Sequence, residues 1–274
     1  MSNKKVYVIT GATSGIGNAL VKRLAENNII YAGYRSDSKK EELKNISENI
    51  IPFYVDYANP ETVSVAIAQI KETAKKIDTL INIAGCVVAG PIEEISVDEI
   101  RRQFNVNVFG HIELAQGLAN IMENGRIINV SSMASFGIFP FISPYCASKR
   151  ALDMFFNSFL IENKHNIKVI SIKPGVIATP LWGKSIKENT PALEHCENYE
   201  KEMKYVSTNA RKNETKGLNV NSVVDVIIKA DSVRNPKLSY LVGKDAIFAS
   251  VISRFPQKVI NRLVKLGMKI RMNR

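Results

Sequence analysis

Tyr145 and Lys149 stand four residues apart in the stretch Ser143-Pro144-Tyr145-Cys146-Ala147-Ser148-Lys149. On a helix that spacing puts the phenol and the ammonium on one face, one turn from each other. A free phenol titrates near about 10 and is a reluctant acid–base at neutral pH. An ammonium ~4 Å away, in an effective dielectric of ~20, favours the phenolate by about 4 kcal/mol. That is enough to bring a tyrosine down to about 7, where proton transfer at neutral pH works best. Proton transfer at an oxygen is therefore the chemistry the pair offers. Taken alone, the spacing also describes a half-buried ring beside a solvated amine.

The elements around the pair decide which description applies. Pro144 suits the first turn of a helix, where its missing N–H would lack a partner anyway. Ala151, Leu152, Phe155, Phe156 and Phe159 continue at helical spacing. Near the start of the chain, residues 4–10 form a nearly unbroken apolar run, as in a strand buried on both faces of a parallel sheet. Thr10-Gly11-Ala12-Thr13-Ser14-Gly15-Ile16-Gly17 follows at once, then Ala19, Leu20 and Leu24 at helical spacing. Strand, glycine turn and helix are the context in which such a loop binds a dinucleotide. Gly11 would turn the chain, Gly15 would let backbone approach the pyrophosphate, and Gly17 would pack the helix on the strand. The helix N–H groups beside Thr13, Ser14 and Ile16 would face the phosphates. A tight turn without a ligand fits the loop equally well on its own.

Further strand-like runs at residues 29–34, 50–56, 79–83, 125–130, 167–173 and 238–242 alternate with helical patterns at 60–76, 97–122 and 221–228. The pattern predicts a doubly wound parallel α/β sheet of about seven strands, with helices on both faces and residues 1–245 as one domain. From residue 180 to about 220 the composition shifts to Lys, Glu, Asn and Thr, with Leu181-Trp182 at the start, and the stretch reads as a mobile lid over a crevice.

A chain of 274 residues is long enough for one such domain with a full core. No run approaches the ~20 apolar residues that span a bilayer, and the early strand leaves no room for a signal peptide. Cys86, Cys146 and Cys196 are odd in number and form no CxxC, so reduced thiols in a cytoplasmic protein without a metal site are expected. The net charge of +11 concentrates at the end of the chain. There Pro256 restarts a helix with Lys258, Arg262, Lys265 and Lys269 on one stripe. Val259, Leu263, Leu266 and Ile270 form a separate apolar face beside Ile260 and Val264, and residues 251–274 contain no acid. Residues 246–274 thus read as a basic amphipathic extension. A helix lying in an anionic membrane surface and a helix packed on its own domain or a second subunit fit equally. No nucleic-acid motif is present.

The glycine spacing GxxxGxG together with Tyr145-x-x-x-Lys149 resembles the short-chain dehydrogenase/reductase family, in its simple single-domain branch, over residues 4–180. The resemblance implies a nicotinamide cofactor. An NAD enzyme of this fold carries an acid near the end of the second strand. Here Tyr34 and Arg35 stand there, and an arginine can grip a 2′-phosphate bidentately, so NADP(H) is expected over NAD(H). Lys39 and Lys40 read as surface residues. The resemblance further places Asp56 at the adenine amino group. Asn82, Ala84 and Gly85 fall in a variant of the family's NNAG, with Ile83 replacing its second asparagine. Pro174, Gly175, Ile177 and Thr179 fall at the nicotinamide carboxamide. Asn107 matches the family asparagine whose backbone bends its helix around a water that relays protons to Lys149. His111 and Glu113 read as ordinary helix residues.

Ser132 lies thirteen residues before Tyr145, the family's separation, and the resemblance implies that it holds the substrate oxygen. The apolar loop 133–142, with Phe136, Phe139 and Phe141, would form a substrate wall with Trp182. The implied reaction is hydride transfer between NADP(H) and a carbonyl or secondary alcohol, with Tyr145 as general acid–base and Lys149 also holding the cofactor. The ending 239–245 is similar to the 17β-hydroxysteroid and retinol dehydrogenase subgroup, which implies a lipophilic small-molecule substrate; a 3-oxoacyl reductase activity is the alternative. A homo-oligomer is expected. A non-catalytic NADP(H) sensor also fits. A serine hydrolase would need G-x-S-x-G, and Gly11-Ala12-Thr13-Ser14-Gly15 has its serine one place late.

Overall fold

Successive side chains of the first strand, β1 (Val6–Ile9), point to opposite faces of the sheet, and both are greasy: Val8 and Ile9 are fully buried in different core layers. This is why the strands read as unbroken apolar runs. The computed structural model describes residues 4–194 and 197–272, and Cys196 lies outside them. Beside β1 lie β2 (Ile29–Tyr34), β3 (Ile50–Tyr54), β4 (Thr79–Asn82), β5 (Arg126–Val130), β6 (Lys168–Pro174) and β7 (Ser239–Val242). All pair in parallel in the order β3-β2-β1-β4-β5-β6-β7.

On one face, Ile9, Ile81 and Ile128 bury against α1 (Gly15–Leu24), α2 (Asp37–Lys44) and α9 (Val220–Ser232), through Leu20, Leu43 and Val224. On the other, Val8, Leu80 and Ile127 bury against α3 (Glu61–Thr73), α5 (Gly110–Leu118) and α6 (Ser143–Glu162), through Ile70, Leu114 and Phe156. Strand order reverses between β1 and β4, and ligands of such sheets sit at the carboxyl ends of the strands beside that switch.

The helix expected over 97–122 is composite. It runs as α4 (Val97–Phe104), a π-helical turn at Asn105–Phe109, α5, and a 3-10 turn at Ala119–Ile121. The polar stretch read as a lid is helical: α7 (Leu181–Glu194) and α8 (Glu200–Lys216) pack on each other, with a 3-10 turn at Glu197–Tyr199 between them. After β7 the chain passes through Gly243 into α10 (Lys244–Ile252) and α11 (Gln257–Met272). α11 packs on α8 and buries Ile260, while Val259, Leu263, Leu266 and Ile270 stay exposed. Among the described residues no helix is long and apolar enough to cross a membrane.

At the end of the sheet away from the switch crevice, Asp231 of α9 accepts hydrogen bonds from Lys5 (2.9 Å), Tyr7 (2.8 Å) and Thr79 (2.6 Å). Burial works against its charge, but the bonds from Thr79, Lys5 and Tyr7 outweigh it and hold the carboxyl below its ordinary value. This cluster ties α9 to β1 and β4.

Candidate active site

At the end of β1 the chain must double back so closely that Gly11 takes φ +64°, and a methyl group there would stand 2.9 Å from the Ala84 nitrogen. Thr10 fastens the same corner: its Oγ1 accepts from the Ile83 and Ala84 N–H groups at 3.0 and 3.2 Å. Ser14 precedes α1, yet its hydroxyl makes no capping hydrogen bond. The first-turn N–H groups of a helix lack partners within it. Thr13, Ser14, Gly15 and Ile16 border a cleft of about 610 Å³ lying over the switch point.

One end of the cleft is basic. Tyr34, Arg35 and Ser36 line it, joined by Lys39, whose sequence context reads as surface; Lys39 pairs with Glu42 at 2.6 Å. Arg35 is exposed and has no acidic partner among the described residues. Asp56 lines the cleft too, its Oδ1 accepting from Ala58 N–H at 3.0 Å to close the turn after β3.

Ser132, Tyr145 and Lys149 line the same cleft. Ser132 ends the β5 segment in extended conformation, and its Oγ accepts from Ala134 N–H at 3.1 Å as a 3-10 turn opens at Met133–Phe136. Burial pushes the Tyr145 phenol up to about 12, opposed by the nearby Ser132 hydroxyl. Lys149 is buried, donates to the Val130 carbonyl oxygen at 3.0 Å, and lies 5.9 Å from the Tyr145 ring centre. Burial pulls the ammonium down to about 8, while Asp153, one turn further along α6, acts to hold its charge. The expected lowering of the phenol by Lys149 is thus not what governs Tyr145 in this arrangement. Desolvation dominates, and the ammonium is spent on main-chain oxygen.

Asn107 sits inside the π-helical turn, fully buried. Such turns are rare and recur at functional sites. Its Oδ1 accepts from Cys86 N–H at 2.9 Å, and its Nδ2 donates to Cys86 O and Ser148 Oγ, both at 3.0 Å. Asn107 does not line the cleft; it stands directly behind Gly85, where a methyl group would lie 3.3 Å from its Oδ1 and 3.6 Å from Lys149 Nζ.

The irregular segment after Gly85 is buried, so its peptide groups need partners. Gln103 of α4 accepts from Val88 N–H at 3.1 Å and donates to Cys86 O at 2.8 Å. From the other side, α7 supplies Ser185, donating to Val87 O at 3.2 Å, and Asn189, which accepts from Ala89 N–H at 2.9 Å and donates to Val87 O at 2.8 Å. Sequence reasoning missed Gln103, Ser185 and Asn189, because polar residues on polar helices look solvated.

Other positions depart from expectation. Asn82 does not line the cleft: it faces Asn129 across the β4–β5 register and donates to its Oδ1 at 2.8 Å. Gly17 packs behind the turn, where a methyl group would overlap the Gly11 carbonyl. Of the aromatic wall, Phe139 and Trp182 line the cleft, but Phe136 and Phe141 do not. Phe136 lies under the Lys173 ammonium, 4.4 Å from its ring centre. Phe141 adopts φ +65° and packs near Tyr199. Pro174, Gly175, Ile177 and Thr179 line the cleft, as do Ala84 and Gly85. Trp182 donates its indole N–H to Ile177 O at 2.8 Å.

Two further residues carry structure that went unread. Asp245 accepts from Val176 N–H at 2.6 Å and from Ala246 N–H at 3.0 Å, and occupies the space a side chain at Gly175 would need. His111, read as ordinary, is buried, with Nε2 2.9 Å from Ala84 O and its ring edge-on to Tyr57. Since a carbonyl only accepts, Nε2 carries the proton. Burial, reinforced by Lys149, holds the imidazole down at about 3. Glu113 does stay at the surface, accepting from Ser64. Among the described residues no group of three His, Cys, Asp or Glu side chains could hold a metal ion.

A parallel sheet with a glycine turn at its switch point and a serine, tyrosine and lysine on the cleft wall defines a dinucleotide-dependent α/β oxidoreductase. Residues 5–190 match the family model for short chain dehydrogenases, and the chain belongs to that family. It is 31% identical over 253 residues to the uncharacterized oxidoreductase YusZ of Bacillus subtilis (strain 168), covering 88% of this chain and 90% of that one. It is 27% identical over 278 residues to the NADPH-dependent 3-dehydrocapnine reductase of Ornithobacterium rhinotracheale, covering 96% of each. A short-chain dehydrogenase from Streptomyces avermitilis has the same fold, with a TM-score of 0.76, 22% identity and 98% of each chain covered.

Proposed function

We propose that this oxidoreductase reduces a ketone on a lipophilic small molecule with NADPH, with Tyr145 as the proton donor. One observation carries the reading: Ser132, Tyr145 and Lys149 stand on the wall of the same cleft that the glycine turn and Arg35 line.

A nicotinamide dinucleotide fits the residues present. The tight Gly11 turn, the uncommitted Ser14 hydroxyl and the first-turn N–H groups of α1 suit a pyrophosphate. The exposed Arg35 suits a 2′-phosphate, and Asp56 lies where an amino group would be met. The smooth wall at Ala84–Gly85 and the loop from Pro174 to Thr179 flank the space left for the nicotinamide. When bound, the cofactor supplies hydride. NADPH is also the reductant in the name of the Ornithobacterium relative.

The protein's share is proton and position. The phenol of Tyr145 stays protonated through neutral pH because it is buried, which is the form a proton donor to a carbonyl oxygen needs. Ser132 Oγ stands beside it to share that oxygen and fix its approach. Lys149, fixed on Val130 O, keeps a charge beside the pair, and Asn107 holds the loop behind it. Phe139, Ile142, Leu181 and Trp182 give the substrate end an apolar lining, which suits a greasy ketone.

The test is NADPH oxidation, followed by absorbance, against aliphatic, steroidal and 3-oxoacyl ketones. Turnover with long-chain or steroidal ketones that vanishes in Tyr145→Phe supports the reading. Tight NADPH binding with no turnover on any of them would assign the chain to cofactor sensing instead.

A further inference from the structure

Eight of the nineteen large apolar side chains exposed on the described surface fall between Ile247 and Ile270. Such clustering calls for a partner, since scattered exposed hydrophobics are ordinary but contiguous ones are not. α11 shows why packing on the parent domain does not use them up. Ile260 is its buried residue, with Val264 half-buried one turn on, and this side meets α8. Val259, Leu263, Leu266 and Ile270 stand about 100° round the helix axis from that side, and are 40–57% exposed. Lys258, Arg262, Lys265 and Lys269 form a third, exposed stripe between them and the far side of the inner face. In α10, Phe248 is 68% exposed, with Ile247 and Val251 beside it on the helix surface.

Charge names the partner. Residues 246–274 hold seven Lys and Arg and no Asp or Glu, so they contribute +7 of the chain's net +11. A two-fold contact between copies would set this face against itself, bringing cation stripes together with no carboxylate within the segment to offset them. A nucleic-acid backbone would meet the cations but leave the leucines and phenylalanines in water. An anionic lipid surface answers both: phosphates for the ammonium and guanidinium groups, acyl chains for the apolar stripe.

We propose that α10 and α11 dock the protein on an anionic phospholipid bilayer, lying in the headgroup layer. The docked segment adjoins the cleft, because α10 packs on the Met133–Phe136 turn, whose Met133 and Ala134 line it. This proposal does not depend on the reductase reading, as it concerns a surface and not the chemistry.

The test is co-sedimentation of the full chain with vesicles of phosphatidylcholine alone and of phosphatidylcholine mixed with phosphatidylglycerol. Binding is expected only to the mixed vesicles, weakening as salt is raised. Lys258→Gln with Arg262→Gln and Lys265→Gln lowers partitioning by about 100-fold. Leu263→Ser with Leu266→Ser lowers it as well, while leaving the salt dependence in place. Both variants change exposed side chains, and unchanged thermal unfolding and far-UV circular dichroism establish that they are folded. Failure of the unaltered chain to bind mixed vesicles, or binding by both variants as tight as that of the unaltered chain, overturns the proposal. So does a serine variant that dissociates an oligomer, seen by sedimentation equilibrium, in a protein that ignores vesicles.

Discussion

Lys149 Nζ and the Val130 carbonyl oxygen are joined at 3.0 Å, so the cleft's ammonium is fastened to the strand that delivers Ser132 two residues later. Helix α6 carries Tyr145 and Lys149, β5 carries Val130 and Ser132, and this bond sets the one against the other. Ser132 and Tyr145, one from each element, come to the same wall of the cleft. The placing of these side chains is therefore set by main chain as much as by side chains.

Removing the phenol oxygen alone should separate chemistry from binding. Tyr145→Phe keeps the ring and removes the donor, and a positioned proton donor is worth about 10²–10⁴-fold. The expected result is a fall in kcat of that order with NADPH affinity, measured by fluorescence titration, changed by less than about twofold.

Rising pH should act through the lysine before the tyrosine. Burial lowers Lys149 to about 8 and raises Tyr145 to about 12. Below about 8 the ammonium is charged and the phenol protonated, so reduction runs at full rate; above it the ammonium discharges while the phenol remains protonated. The pH profile of kcat/KM for reduction should fall with an apparent pKa near about 8. Lys149→Arg, which keeps its charge to higher pH, should move that limb upward.

Arg35 is expected to select the phosphorylated cofactor. A charge-assisted hydrogen bond is worth about 1.5–3 kcal/mol, so Arg35→Ala should raise the KM for NADPH roughly 10–100-fold. The KM for NADH should hardly change. Equal losses with both cofactors would place Arg35 outside phosphate recognition.

Cutting the α7 latch should loosen the loop behind the cleft. Asn189→Leu leaves Ala89 N–H and one bond to Val87 O unmade in a buried place, at about 1–3 kcal/mol for each unsatisfied group. Hydrogen exchange at the Ala89 amide should accelerate while exchange in β1 and β4 stays slow. The KM for the ketone should rise more than kcat falls.

Acid should destabilise the fold through His111. Its imidazole titrates at 6.5 when free and at about 3 in the folded protein, where burial keeps it neutral. Between these values the unfolded chain binds the extra proton, so stability is lost as pH falls from 6.5 toward 3, at up to about 1.4 kcal/mol per pH unit. In urea unfolding, His111→Gln should be less stable than the natural protein at neutral pH. That difference should shrink steadily on acidification.

Those parts of the site that backbone geometry dictates were legible in the chain. A glycine with φ +64° at Gly11, a proline in the first turn of α6, and strands buried on both sides each leave a mark on residue type. Groups defined by their distant partners left none. Asn82 reads as a loop-end asparagine until the β4–β5 register sets it opposite Asn129. Ser185 and Asn189 look like solvated helix residues until α7 lies against Val87 and Ala89. Phe136, Phe139 and Phe141 look alike in sequence, yet backbone direction sends only Phe139 to the cleft. Charge proximity along one helix suggested an acidic phenol at Tyr145, and three-dimensional burial reversed the sign.

The carboxylate of Asp245 has one oxygen on the amide that opens α10 and the other on Val176, beside the floor of the crevice. The tail and the crevice floor therefore share a hinge pin. A shortened protein ending before that residue loses more than an appendage, for the loop under the reacting group would slacken at the same cut. Any strain felt by the terminal helices on a surface would reach that floor across a single side chain.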